Sequence, residues 1–298
     1  MSAFGRQLVF PRCTWAGNVP YGTRKGEARK GSPKFLLTSL AAAVAVALVA
    51  VVSASAITNG QPDGNGHPNV GVMVVNFGSG PTRLCSGELI APTQFLTAGH
   101  CTAFLVGDPS PLVGVTFDST YHPNTSVVVP ATRVTVDPLF GKDRGDLHDL
   151  GVITLAYPVA TTPVVLPTAG LLDQLAAQGG LRGQEFTNVG YGATGYAFGG
   201  GQPTLVDFQP AIRRISSSPF MALEQNVLRL QGNTNATGEG GTCTGDSGSA
   251  AYLNVNSTEV AVGIVTLGSD QRCVANDAKY RLDTPSARAF LGEFVSLP

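Results

Sequence analysis

Cys243-Thr244-Gly245-Asp246-Ser247-Gly248-Ser249 sets one serine in a glycine-flanked turn, and the reading of the whole chain hangs on what surrounds it. Taken alone, the stretch is an ordinary turn, because glycine supplies the tight backbone and aspartate and serine bond readily to nearby main chain. Outward from it, the sequence downstream of Ile57 breaks into short β-branched runs separated by Gly, Pro, Asn and Asp. The spacing predicts strands over 70–77, 84–90, 126–136, 150–155, 259–267 and 279–282, a pattern of sandwiches or barrels rather than of a βαβ sheet. The C-terminal end differs. Thr284 can cap a helix, Pro285 suits its first turn, and Ala287, Phe290, Leu291 and Phe294 recur at helical spacing, so one terminal amphipathic helix is expected.

Composition agrees with a turn-rich β protein. The 298 residues include 37 Gly and 20 Pro, with 13% charged and 43% hydrophobic residues, enough apolar chain for two modest cores. The segment 157–170, rich in Pro, Thr and Ala, is the expected connection between two halves, 57–165 and 166–298. The segment 171–183 reads as a short helix or a surface loop, 195–202 as a glycine-rich loop, and no internal sequence repeat is evident.

Residues 1–56 form a separate object. Seven of the 19 basic residues fall within the first 34 positions, against one acid, Glu27, and the uncharged run 35–52 follows. Ala54-Ser55-Ala56 completes the small-residue pattern of a secretory signal, so an extracellular body is expected. The basic stretch is longer than is usual for a signal, which points to a start downstream of Met1. The rival reading is a membrane anchor, because the apolar run is just long enough to span a bilayer; membrane contact is expected only if the leader stays uncleaved. Cleavage after Ala56 leaves a body with a net charge of −7, which offers nucleic acid no electrostatic footprint. Cys13 lies in the leader, and Cys85, Cys101, Cys243 and Cys273 lie in the body. Export permits disulfides, and four cysteines allow three pairings; free buried thiols are the alternative. The local pairing closes loops of about 15 and 30 residues, each worth up to roughly 3–4 kcal/mol in the entropic account.

Two further segments complete the chemistry: Leu96-Thr97-Ala98-Gly99-His100-Cys101 and His148-Asp149-Leu150-Gly151-Val152-Ile153-Thr154-Leu155. Cleaving an amide near neutral pH needs a nucleophile, a base that titrates near the working pH and a group that fixes the base's tautomer. Ser247, His100 and an aspartate meet those needs. A histidine beside a cysteine, an aspartate opening an apolar strand and Gly-Asp-Ser-Gly, in that order, resemble the trypsin and chymotrypsin family of serine peptidases from Ile57 to the C-terminus.

The resemblance implies an all-β, chymotrypsin-like fold of two six-stranded antiparallel β-barrels with a C-terminal α-helix and the active site between the barrels. It implies a serine endopeptidase acting on protein or peptide substrates, open to protein inhibitors, with His100, Asp149 and Ser247 catalytic. Asp149 is preferred over Asp143 and Asp146 because it alone directly precedes the apolar strand; those two read as solvated loop acids, and His67, His122 and His148 as ordinary loop residues. Gly245 and Ser247 would supply the oxyanion-hole N–H groups, and Asn188-Val189-Gly190-Tyr191-Gly192 resembles the family's aromatic Gly-x-Gly stretch. The implied disulfides are Cys85 to Cys101 and Cys243 to Cys273. Ile57-Thr58-Asn59-Gly60 resembles the mature N-terminus, whose freed α-amino group pairs with the aspartate before the serine, here Asp246. Signal cleavage directly before Ile57 would then activate the enzyme without a separate zymogen step.

Gly241 stands where trypsin-type members carry the aspartate that binds Lys or Arg side chains. Thr266-Leu267-Gly268 resembles the pocket wall, with Gly268 leaving its entrance open, so apolar or aromatic side chains are expected. Asp277 could restore a basic preference, because the loop from Cys273 to Tyr280 is short. Gly99, Ser249 and Leu267 depart from the family's usual residues and bear on substrate preference more than on catalysis. An inactive binding protein on the same fold is the alternative function. No cofactor is expected, and the four histidines show no metal-ligand spacing. Three glycosylation-type triplets begin at Asn124, Asn235 and Asn256.

Overall fold

The computed structural model describes residues 57–268 and 272–298. The leader, with its expected signal or anchor and Cys13, lies outside the described residues. Among the described residues no helix is long and apolar enough to cross a membrane.

The first barrel is built from β1 (Val70–Val75), β2 (Thr82–Ala91), β3 (Gln94–Thr97), β4 (Leu112–Thr116), β5 (Val128–Val136) and β6 (Gly151–Leu155). Its strands run in the order β1-β2-β3-β6-β5-β4, and β4 returns to β1 to close the ring. The second uses β7 (Glu185–Gly190), β8 (Arg214–Leu223), β9 (Val227–Leu230), β10 (Ala250–Val255), β11 (Thr258–Gly268) and β12 (Asp277–Arg281). Its order is β8-β9-β12-β11-β10-β7, closed by β7 pairing with β8. Counted from each barrel's first strand the two orders are identical, although the sequence shows no repeat. Every barrel pairing is antiparallel, and closure leaves neither barrel a free edge.

Helices are short: α1 (Gly99–Thr102), α2 (Leu171–Ala177), α3 (Thr234–Thr237) and α4 (Pro285–Leu291). The terminal helix forms as expected, with the Thr284 hydroxyl accepting from the Ala287 N–H and Pro285 in the first turn. It stops at Gly292, so Phe294 falls beyond it and packs edge-on against Phe290. The 195–202 segment is more ordered than a loop: Gly195–Ala197 pairs with Thr204–Val206 as a small hairpin.

The larger core cluster fills the first barrel and continues through Tyr191, Ile264 and Tyr280 to the buried face of α4. A smaller one, around Phe186, Leu228, Leu230 and Val262, fills the second barrel. Arg213, fully buried, joins three parts of the chain. Its Nε donates to Asp63 Oδ2 (2.9 Å), its Nη1 to the carbonyls of Val70 and Phe117 (3.0 Å each), and Nη1 also reaches the Tyr191 hydroxyl (3.2 Å). Burial raises the cost of the Asp63 charge, yet bonds from His67 and Arg213 outweigh it and hold the carboxyl down at about 2. His67, far from an ordinary loop residue, bonds Asp63 (2.6 Å) and Glu259 (3.0 Å). Burial opposes its charge, but the two carboxylates win and push it up to about 9.

Glu88 on β2 is fully buried, and neither carboxyl oxygen has a hydrogen-bond partner among the described residues. Burial lifts its pKa well above the usual carboxylate range; the Ala250 N–H pulls the other way without closing a good bond. A carboxyl with a raised folded-state pKa favours folding most below its unfolded value and loses that contribution as pH rises toward the folded one. Glu88→Gln is therefore expected to raise Tm at pH 9 by roughly 5 °C or more and to change it little at pH 5. Thermal melts at both values check this; an equal shift at both, or none at pH 9, contradicts it.

Candidate active site

β3 ends at Thr97, and the chain turns at once into α1, which carries His100. The Cys85–Cys101 disulfide ties α1 back to β2. The cysteine sulfurs and a ring nitrogen of His100 lie within 4.8 Å of one another, but both sulfurs are spent in the disulfide and are not free as metal ligands. β6 pairs with β3 through Thr97 and Gly151, so Asp149, two residues before Gly151, falls beside the histidine. Asp149 grips that residue twice: Oδ2 lies 2.8 Å from His100 Nδ1, and Oδ1 accepts the His100 backbone N–H at 2.7 Å. The Thr266 hydroxyl on β11 donates a third bond to Oδ2. The carboxylate is 4% exposed and the imidazole 36%, so the acid is dry while the ring keeps an open edge.

Asp143 and Asp146 stay outside this arrangement. Asp143 is an exposed turn acid, whereas Asp146 accepts a 2.6 Å bond from Ser286. His148 is buried rather than a free loop residue, with Nδ1 3.0 Å from Asp137.

The serine loop docks on the same strands. Gly245 has φ +100 and Gly248 φ +83, conformations that side-chain-bearing residues rarely adopt. A side chain at Gly248 would collide with Thr97 Oγ1 and the Ala98 nitrogen, the residues leading into His100. The Gly248 N–H donates to the Val265 carbonyl (2.9 Å), and the next residue, Thr266, holds Asp149. Ser86 closes the set: its N–H and hydroxyl both bond the Gly245 carbonyl (3.1 and 2.8 Å), its carbonyl accepts the Thr97 hydroxyl (2.8 Å), and its Oγ accepts the Tyr191 N–H (2.9 Å). The loop that carries half-buried Ser247 thus packs, through Gly248, against Thr97 and Ala98 on the approach to His100.

The Asp246 N–H is used by the Cys243 carbonyl, whereas those of Gly245 and Ser247 on either side meet no acceptor among the described residues. Two unspent donors that flank Asp246, one of them the serine's own, suit a developing oxyanion. The buried Asp246 carboxylate accepts N–H bonds from Gly192 (2.7 Å) and Cys243 (2.9 Å). Burial nevertheless pushes it up to about 6, with the charges of Arg83 and Lys279 offsetting part of the cost.

Ile57 and the expected pocket lie close by. Ile57 is fully buried, and Thr58 bridges Gly241. β11 and β12 pair Leu267 with Ala278 and Gly268 with Asp277, while the Thr266 side chain turns to Asp149. The second disulfide joins Cys243 to Cys273.

Ser86, Thr97 and Arg83 were missed by the motif reading. Ser86 is a small polar residue in an apolar strand and gives no local signal, and Thr97 lies in the histidine motif but nothing local shows its bond to Ser86. Arg83 is 2% exposed, and its guanidinium lies over the Phe208 ring beside Gly245. A lysine between the apolar residues of 278–280 could have flagged Lys279.

A family model described as Trypsin matches residues 57–289. "Trypsin" of Saccharopolyspora erythraea is 31% identical over 103 residues, covering 35% of this chain and 43% of that protein. "Scolexin B" of Heliothis virescens is 29% identical over 201 residues, covering 61% of this chain and 64% of that protein. The chain thus spans less than two thirds of the length of each of these two curated relatives.

Proposed function

Because the chain belongs to the trypsin and chymotrypsin-like family of serine peptidases, we propose that it is a secreted serine endopeptidase that cleaves peptide bonds through an acyl-enzyme. Ser247 Oγ attacks the scissile carbonyl while His100 Nε2 removes its proton. The Asp149 carboxylate at Nδ1 keeps the imidazole in the required tautomer and steadies the imidazolium. The new oxyanion sits on the N–H groups of Gly245 and Ser247; one such donor is worth about 100–1000-fold in rate. His100 then returns the proton to the leaving amine, and water, activated by the same base, releases the acid. The observation that carries this reading is the two-point grip of a buried carboxylate on His100, next to the serine loop.

In the pocket, Gly241 offers no charge, and this supports a preference for apolar or aromatic side chains before the scissile bond. A panel of peptide amides tests both levels of the proposal. Turnover is expected with Phe or Leu at that position exceeding Arg or Lys by at least about tenfold; cleavage confined to Arg and Lys overturns the preference, and no turnover on any member overturns the peptidase reading.

The activation reading places the freed α-amino group of Ile57 against Asp246 after cleavage behind Ala56. Its support is the buried Ile57, the Thr58 bridge to Gly241, and an Asp246 carboxyl whose charge is only partly compensated. A new ammonium there would favour the ionised form and fix the oxyanion loop. N-terminal sequencing of the exported protein is expected to begin at Ile57; any other first residue excludes this route.

A further inference from the structure

Asp277 and Lys279 stand two apart on β12, both almost without exposure, in a part of the second barrel that the mechanism does not use. Asp277 Oδ2 accepts the Thr242 N–H at 2.7 Å, and Lys279 Nζ lies 3.5 Å from that oxygen and 3.2 Å from Thr242 Oγ1. Thr242 follows Gly241, and Asp277 is the register partner of Gly268, so the carboxylate is bracketed by both borders of the expected side-chain pocket. Its other edge meets Gly232. A Cβ on Gly232 would sit 3.1 Å from Asp277 Oδ1, and one on Gly241 would sit 2.7 Å from the Gly232 Cα, so the bare backbone of Gly232 lies between Gly241 and the carboxylate. Left to itself, a buried carboxylate in that position would draw a cationic substrate side chain.

We propose that Lys279 is a specificity-determining residue: its buried ammonium neutralises Asp277 behind Gly241 and keeps the pocket closed to Arg and Lys. This inference rests on the reading of Ser247 as the nucleophile. Substrate desolvation completes the argument, since a cation entering a net-neutral pocket loses its water without gaining a counter-charge, whereas an apolar side chain loses nothing comparable. Lys279 also feels Asp246, and burial lowers its pKa while the two carboxylates resist that shift. Removing it can therefore slow every substrate, which is why the informative readout is a ratio.

The test uses the panel of peptide amides at pH 8 and compares kcat/KM for Arg with that for Phe before the scissile bond. Lys279→Met is expected to raise the Arg to Phe ratio by at least about tenfold, and the Lys279→Met, Asp277→Asn double variant to return it to within about threefold of wild type. Lys279→Gln, which keeps a donor for Thr242 without the charge, must move the ratio the same way. Asp277→Asn alone leaves the ammonium uncompensated and must lower the ratio. Variants that turn over substrate and react with a fluorophosphonate at Ser247, yet keep the wild-type ratio, overturn the inference. A wild type that fails to react at Ser247 instead removes its premise.

Discussion

Ser247→Ala is expected to lower kcat on a good peptide amide by about a millionfold, and His100→Ala to do the same to within about an order of magnitude. The two losses do not multiply in the double variant. Serine is a poor nucleophile at neutral pH and gains its reactivity only as the imidazole accepts its proton, so removing either partner removes one function. What survives is the contribution of the oxyanion donors and of binding, roughly a thousandfold or more over water. Single-turnover kinetics on the purified variants checks this. A residual rate within about a hundredfold of wild type in either single variant would mean that another group performs the attack.

Asp149→Asn is expected to lower kcat by about ten thousandfold while leaving thermal stability within a few degrees of wild type. The geometry gives the reason. Oδ2 accepts from His100 Nδ1 and from the Thr266 hydroxyl, and Oδ1 accepts the His100 N–H. An asparagine can retain the main-chain bond through its oxygen, but it then turns an NH2 group toward Nδ1. That donor needs an acceptor, so the ring adopts the tautomer with its proton on Nε2, where it cannot receive the serine proton. The damage is to orientation and tautomer rather than to folding. Steady-state kinetics with a parallel melt checks it, and a loss below about a hundredfold contradicts the role assigned to this carboxylate.

The fold was legible where residues alternate in long β-branched runs. β1, β2, β5, β6, β11 and β12 fall within a few residues of their expected bounds. β3, β4, β7, β8, β9 and β10 were not anticipated. Gln94–Thr97 is four residues long, and Arg214–Leu223 contains Ser216-Ser217-Ser218-Pro219, which reads as a turn. Their strand character comes from closure: β8 is held between β7 and β9, and that pairing partner is invisible locally. Helix α4 was legible because its cap, proline and apolar stripe are all local signals.

At the site the same division holds. Ser247, His100 and Asp149 each sit in a short motif, so the sequence could nominate them. The contacts that bring them together could not be nominated, even where a residue such as Thr266 was expected in another role. Thr266 reaches Asp149 across 117 positions and Ser86 reaches Gly245 across 159, contacts that only the paired barrels create. Arg213 and Asp63 lie 150 positions apart, and Lys279 acquires meaning only when Thr242 is placed above it. Buried charges are costly unless paired, which is why their partners decide what they do.

The proposed hydrolytic function depends on the hydroxyl of Ser247 being activated by His100. Peptide mapping by mass spectrometry after fluorophosphonate treatment tests that dependence most directly. One adduct on the peptide that contains Ser247, formed by wild type and suppressed at least about a thousandfold in His100→Ala, is the predicted result. An adduct on a different residue, no adduct at all, or equal rates in the two proteins would contradict it.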